Sequence, residues 1–277
     1  MKFHSTAIRN FRNKQEHVRA FEYQDYSISP HDHDFYEMNI ISSGSGTHTI
    51  ENASFRVKPG DVFIIPPGVM HSYVETEHLN VYHILLRKSF IEKNRKEAEH
   101  IPGFLQLIEI EPFLRQNYSD AMFLHLSGSQ MIELQSDLKI ITDQSRLNQE
   151  SLFPLKEHIA WKILYWFSFL LSEQLYHKPH TASAQTQAIF RTLEYIHQNY
   201  GEKITIDELC KISFLSRSTF LRNFQSICGC TPLQYLTGYR KKQAIERLEQ
   251  NELSKTEIAH ACGFYDLSHM MRILKKS

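Results

Sequence analysis

No run of about eighteen consecutive apolar residues occurs in this 277-residue chain, so no segment of it reads as a membrane-spanning helix. The opening stretch, "MKFHSTAIRNFRNK", is polar and basic with no apolar core behind it, and is not expected to act as a secretory signal. Low-complexity tracts are missing too. Cysteine is scarce: Cys210, Cys228, Cys230 and Cys262 all fall in the last third. Cys228 and Cys230 flank one glycine, but no second pair and no histidine cluster at zinc spacing accompanies them. They are expected to be small buried residues of a reduced, cytoplasmic protein. Net charge is absent, with 31 Lys+Arg against 31 Asp+Glu, yet the balance is uneven along the chain. Residues 1–180 hold 18 basic against 22 acidic side chains, and residues 181–277 hold 13 against 9. Only the back of the chain therefore leans toward a polyanion.

The length suits two domains. Residues 20 to 90 carry short β-branched and aromatic runs broken by Gly and Pro, as in "ASFRVKPGDVFIIPPG" and "NVYHILLR". Sequential short strands with tight turns predict a small barrel or sandwich. From about Ser89 the period becomes helical. Met131, Ile132, Leu134, Leu138 and Ile141 fall near helical spacing, and Leu155, Ile159, Ile163, Trp166, Phe167, Leu170 and Leu171 make a broad apolar side. That second helix either covers the barrel or is shared between two subunits. "HKPHTASAQTQ" (177–187) is polar, small and proline-containing, and reads as a linker. The expected division is thus a barrel over 1–90, a helical and dimerising segment over 91–176, the linker, and a helical domain over 188–277.

The back half is punctuated by capping residues: Thr205 or Asp207, Ser216, Thr231 before Pro232, Ser254 with Glu257, and Asp266 or Ser268. Helix, short turn, helix occurs twice, over 205–227 and 254–276. Each second helix carries polar residues near its start, as a helix-turn-helix requires for entering a groove. With Phe220 and Phe224 inward, Ser218, Leu221, Arg222 and Gln225 face outward. Arg222 can pair with guanine and Leu221 can meet a thymine methyl. Arg217 and Gln225 are expected on phosphates.

Near the front, His31, His33 and Glu37 share strand parity, and His71 closes "GDVFIIPPGVMH". Three histidines and a carboxylate suit a divalent transition ion, whether Zn, Ni, Fe or Mn. His48, Tyr82 and His83 can also reach a barrel interior, and Phe35, Tyr36, Tyr73 and Tyr82 place aromatic rings near its mouth. An enzyme, a sensor with a metal, a sensor without one and a set of merely structural histidines all fit this pattern. Catalysis would need an added acid or base, and none is singled out.

Two resemblances narrow these readings. "SKTEIAHA" followed by "CGFYDLSHMMRILKK" resembles the second helix-turn-helix signature of the AraC/XylS family of transcription factors. Ile258, Ala259, Gly263, Phe264, Asp266, Ser268, Arg272 and Lys275 fall where that family has them. The resemblance implies two units joined by a long helix, here "PLQYLTGYRKKQAIERL", and makes Ser268, His269 and Arg272 candidate base readers. Met270 and Leu274 stand where the family usually has aromatics, and the sequence stops at Ser277, before the family's last helix. The front resembles the cupin barrel: His31, His33, Glu37 and Gly44 match one motif, and Gly60, Pro66, Gly68 and His71 the other, with Glu75 departing at an asparagine position. In metal-binding cupins the corresponding histidines and glutamate hold the ion.

Together these imply an α+β protein, a cupin-like β-barrel plus an all-α double helix-turn-helix domain lacking the usual last helix. It would be a sequence-specific DNA-binding regulator controlled by a small effector, a sugar or related metabolite, contacted by His31, His33, Glu37, His71 and Tyr82. The same four residues without Tyr82 are the candidate metal ligands, with no other cofactor. Promoter DNA, a second copy of the chain and RNA polymerase are the expected partners, with no membrane. The alternative is a metal-dependent cupin enzyme fused to a helical domain.

Overall fold

The computed structural model describes residues 3–5, 10–117, 124–143, 149–176, 184–251 and 253–275. It divides into two compact units, Met1–Thr181 and Ala182–Ser277.

The first unit is built on eight strands: β1 (Phe3–Ser5), β2 (Val18–Tyr23), β3 (Ile28–His33), β4 (Tyr36–Ile50), β5 (Ala53–Val57), β6 (Asp61–Ile65), β7 (His71–Leu86) and β8 (Leu124–His125). β4 and β7 are the frame. They pair antiparallel along nearly their whole lengths, from Tyr36 opposite Leu86 to Ile50 opposite His71. Each is too long for a single neighbour on its other edge. β4 therefore pairs with β6 at its start and β5 at its end, and β7 with β3 and then β2. Register shifts between Ile41 and Thr47 bend the pair, as bulges do, and curl the sheet around its apolar inner face. Gly44, at φ +77°, sits in that bend, and a Cβ there would lie 2.2 Å from the His78 carbonyl oxygen. Ile41, Phe63, Tyr73, Leu79 and Val81 are fully buried inside.

Helices follow the strands. α1 (Lys88–Lys93) and α2 (Arg95–Ala98) lead to a π-helical turn (Gln106–Ile110) and α3 (Glu111–Asn117), then α4 (Gly128–Thr142) and the long α5 (Phe153–Tyr176). α4 begins in a capping box between Ser127 and Gln130. Both α4 and α5 pack against β2, and α3 against β5 and β6, so the helices belong to the barrel's unit. Ile163, Phe167 and Leu171 of α5 are buried, while Leu155 and Phe169 are not.

The second unit holds α6 (Ala184–Asn199), α7 (Ile206–Ser213), α8 (Arg217–Cys228), α9 (Pro232–Gln250), α10 (Lys255–Ala261) and α11 (Leu267–Lys275). Most of the expected linker, through residue 183, lies outside the described residues. Ala184–Gln187, also expected there, instead form the first turn of α6; alanine and glutamine are good helix formers. Capping boxes open α7 (Thr205 with Glu208), α9 (Thr231 with Gln234) and α10 (Ser254 with Glu257), and Ser216 caps α8. Asp266 Oδ1 accepts from the His269 amide at 2.6 Å, so Asp266 rather than Ser268 caps α11. Phe220 and Phe224 pack beneath α6 and α9, and Ala244, Ile258, Cys262, Phe264 and Met270 form a second small core. Gly263, at φ +72°, turns the chain between α10 and α11. A Cβ there would lie 2.7 Å from the Tyr200 carbonyl oxygen.

Candidate functional site

The barrel gathers four histidines and a glutamate from three strands. His31 and His33 point inward from β3, Glu37 from the start of β4, and His71 and His83 from β7. Strand parity alone had put Glu37 on one strand with the two histidines. The chain instead turns at Asp34–Phe35, and the three converge from adjacent strands. Pairing fixes the rest: β7 sets His71 opposite His31 and His83 opposite Phe21.

Three of the rings are anchored alike. His31 Nδ1 lies 3.1 Å from the Ser29 carbonyl oxygen, His33 Nδ1 2.7 Å from that of Phe35, and His71 Nδ1 3.3 Å from that of Val69. A carbonyl only accepts, so each Nδ1 is placed to donate, and in that tautomer Nε2 keeps a lone pair that a cation could take. Glu37 Oε2 stands 3.0 Å from His71 Nε2 and 3.2 Å from His33 Nε2, and the buried His33 Nε2 makes no hydrogen bond. Ligand atoms of His31, Glu37 and His71 all lie within 4.8 Å of one another. Lone pairs and a carboxylate oxygen brought together in this way are the donor set of a divalent transition metal, and the backbone carbonyls hold the rings as such a site needs. The residues fit an ion.

Charge agrees. Burial, helped by His71, lowers His31 from 6.5 to about 4. Burial also holds His48 well below its usual range, with His71 and Arg115 adding to it. Burial would raise the Glu37 carboxyl, but the imidazoles of His33, His71 and His83 overcome this and keep it well below the usual carboxylate range. The Glu37 carboxylate is thus held ionised beside a neutral His31 and a neutral His48. A stability prediction follows for metal-free protein. Between pH 6.5 and about 4 the unfolded chain takes up a proton at His31 that the folded chain refuses. Stability is thus complete above pH 6.5 and falls toward pH 4, by roughly 3 kcal/mol from this group. Urea midpoints at pH 7, 5.5 and 4.5 should decline in that order; a flat profile would mean His31 is not held neutral.

Above this floor opens a cavity of about 200 Å³, walled by Phe21, Tyr23, Tyr26, Ile28 and Phe35 as well as His31, His33, His83 and Glu37. Among the described residues lining it there is no lysine or arginine. Tyr82 is a correction. It is half-exposed and faces away from His83, beside Met131, Ile132 and Gln135 of α4, because neighbouring residues on a strand take opposite faces. Tyr73 lies deeper, stacked on His48 at 4.0 Å. His83, only noted as able to reach the interior, is a full member: its Nδ1 lies 2.6 Å from Glu37 Oε1. Its even spacing from His71 was the available signal.

In the helical unit, Arg217, Ser218, Arg222 and Gln225 of α8 are exposed and Leu221 half-exposed, with Phe220 and Phe224 buried as expected. On α11, Ser268 and Arg272 are exposed and His269 half-buried. The helices present one pattern. Ser218 and Ser268 each stand two residues after the cap, and Arg222 and Arg272 each one turn beyond. Arg217 already pairs with Asp207 at 2.7 Å, and Gln225 donates to the Gly229 carbonyl at 3.0 Å. Sequence reasoning missed two aromatics in the turns before these helices, Phe214 and Tyr265, 84% and 86% exposed. Tyr265 borders a shallow hollow with Ser268, His269 and Arg272.

A ligand-binding barrel joined to two helix-turn-helix units defines a DNA-binding transcription regulator with an effector-binding domain. Comparison with known proteins agrees. The AraC-like ligand binding domain family matches residues 15–146, and a helix-turn-helix domain family matches residues 209–277. The chain belongs to the AraC family of transcription regulators. It is 25% identical over 251 residues to the HTH-type transcriptional activator RhaS of Pectobacterium carotovorum, covering 89% of this chain and 83% of that one. With RhaS of Mannheimia succiniciproducens it shares 26% over 267 residues, 96% and 92% of the two chains. Among solved structures, ToxT of Vibrio cholerae is 14% identical with a TM-score of 0.34, covering 94% of this chain and 95% of that one. Among the described residues no helix is long and apolar enough to cross a membrane.

Proposed function

We propose that the protein is a cytoplasmic regulator that activates transcription from promoters it reads with α8 and α11, under control of a small uncharged effector held in the barrel. The repeated Ser-x-x-x-Arg pair on two capped helices is the observation that carries the DNA half. Ser218, Leu221, Arg222, Ser268, His269 and Arg272 read bases, while Arg217 and Gln225 hold phosphates. Arg217 must exchange Asp207 for the phosphate.

For the effector, a cavity without a cationic wall disfavours an anion, and aromatic walls over a hydrogen-bonding floor favour a sugar or similar polyol. His31, His33, His71 and Glu37 would hold a divalent ion, Zn, Ni, Fe or Mn. Such an ion would supply Lewis-acid binding of an effector oxygen. The barrel within residues 1–90 is then the sensor and the helices within 91–176 the dimer contact, where Ile132 and Phe169 are exposed. Paired units raise avidity for repeated half-sites, at which RNA polymerase would be recruited. The relatives' names as activators support this over catalysis.

Selection of duplexes from a random pool by the full-length protein tests the proposal. An enriched motif bound with steeply salt-dependent affinity is expected, and recovery of unselected sequence alone would sink it. Turnover by the barrel, lost in His71→Ala, would promote the enzyme reading in its place.

A further inference from the structure

His83 uses its ring unlike the other histidines of the cluster. His31, His33 and His71 each turn Nδ1 to a backbone carbonyl two residues away and Nε2 toward the centre. His83 turns Nδ1 to the carboxylate instead. At 2.6 Å this contact between ring nitrogen and Glu37 Oε1 is the shortest in the cluster. The Nε2 of His83 is buried and has no hydrogen-bond partner, so the ring is placed there at a cost in free energy.

Its orientation is enforced. Phe21 stacks on the ring at 5.4 Å, and Tyr23 and Tyr26 stand edge-on at 5.4 and 4.6 Å. A ring caged on these sides cannot easily swing Nδ1 off the carboxylate. Glu37 is thereby divided: Oε1 belongs to His83, and Oε2 faces His33 and His71.

We propose that His83 is a positioning residue that ties down Oε1 of Glu37, so that the carboxylate offers a single oxygen to a cation shared with His31, His33 and His71. The proposal rests on the reading of that cluster as a metal site. The cage also lines the effector cavity, so a ligand entering it touches the rings that set His83 and, through it, the carboxylate.

Metal-stripped full-length protein titrated with Co(II), followed by its visible absorption, tests this. His83→Phe keeps a flat ring in the cage and removes the donor. His83→Asn places an amide N–H near the position of Nδ1. Loss of a hydrogen-bonded support of a metal ligand typically costs 10- to 100-fold in affinity. His83→Phe should therefore bind Co(II) about 10- to 100-fold more weakly than wild type, with a changed visible band, while His83→Asn recovers most of both. Wild-type affinity and spectrum in His83→Phe overturn the proposal, as does weakening that His83→Asn does not repair. Should His83→Phe fail to fold, a Co(II)-bound crystal structure of the wild type decides: one Glu37 oxygen on the ion supports the proposal and two overturn it. If wild type itself takes up no Co(II), the metal reading falls and carries this inference with it. Normal binding by wild type and His83→Phe alike removes this inference alone.

Discussion

Phe224→Ala is expected to destabilise the helical unit by about 3–5 kcal/mol, the usual cost of emptying a buried aromatic site. Phe224 is fully buried, with Phe220 at 5.7 Å and Tyr235 of α9 at 6.0 Å between ring centres. Its contacts join α8 to the long helix, so no single side chain can move in to fill the gap. A small domain has only about 5–15 kcal/mol of stability, so the loss takes a large share of it. The midpoint of thermal unfolding should fall by more than 10 °C on the scaling of about 4–8 °C per kcal/mol for a unit of this size. Far-UV circular dichroism on the full chain measures this. Below the new midpoint, DNA affinity should remain near wild type, because α8 still presents Arg222 when folded. An unchanged midpoint would mean that Phe224 does not sit in the core of the first helix-turn-helix.

The back half of this fold was legible because its signals are local. Thr205, Ser216, Thr231, Ser254 and Asp266 announce helix starts through bonds to amides three residues away, and Phe220 and Phe224 mark the buried side of α8. Nothing distant has to be known. The barrel is different. His31, His33, Glu37 and His71 were found by motif and do meet, but the Asp34–Phe35 turn carries neither glycine nor proline, so the break between β3 and β4 was invisible. The choice between Tyr82 and His83 is a question of phase along a sixteen-residue strand with two successive partners and bulges in the strand beside it. Only the pairing of β7 with β2 settles it, and strand pairing over sixty residues leaves no short-range trace. The same holds for the packing of α4 and α5 on β2, where the apolar stripe of α5 fitted either a barrel or a partner subunit.

Arg222→Ala and Arg272→Ala are each expected to weaken binding to the selected duplex by about 1–3 kcal/mol and to relax preference at one base pair, the signature of a lost bidentate contact to guanine. The two arginines stand on separate helices in equivalent positions, so their effects should add and the double variant should lose about 2–6 kcal/mol. Arg217→Ala should behave otherwise. As a phosphate contact it carries no sequence information, so it should weaken all duplexes alike and lower the salt dependence by about one counterion. Fluorescence anisotropy on the selected site, single-base variants and a scrambled duplex, at several salt concentrations, separates the cases. Both arginines are exposed, so none of these substitutions should shift the unfolding midpoint, and Phe224→Ala supplies the contrast. A loss confined to Arg222→Ala would mean that α11 braces the complex without reading it. Full affinity in the double variant would show that neither second helix enters a groove, and that the matched serine and arginine pairs serve some other surface.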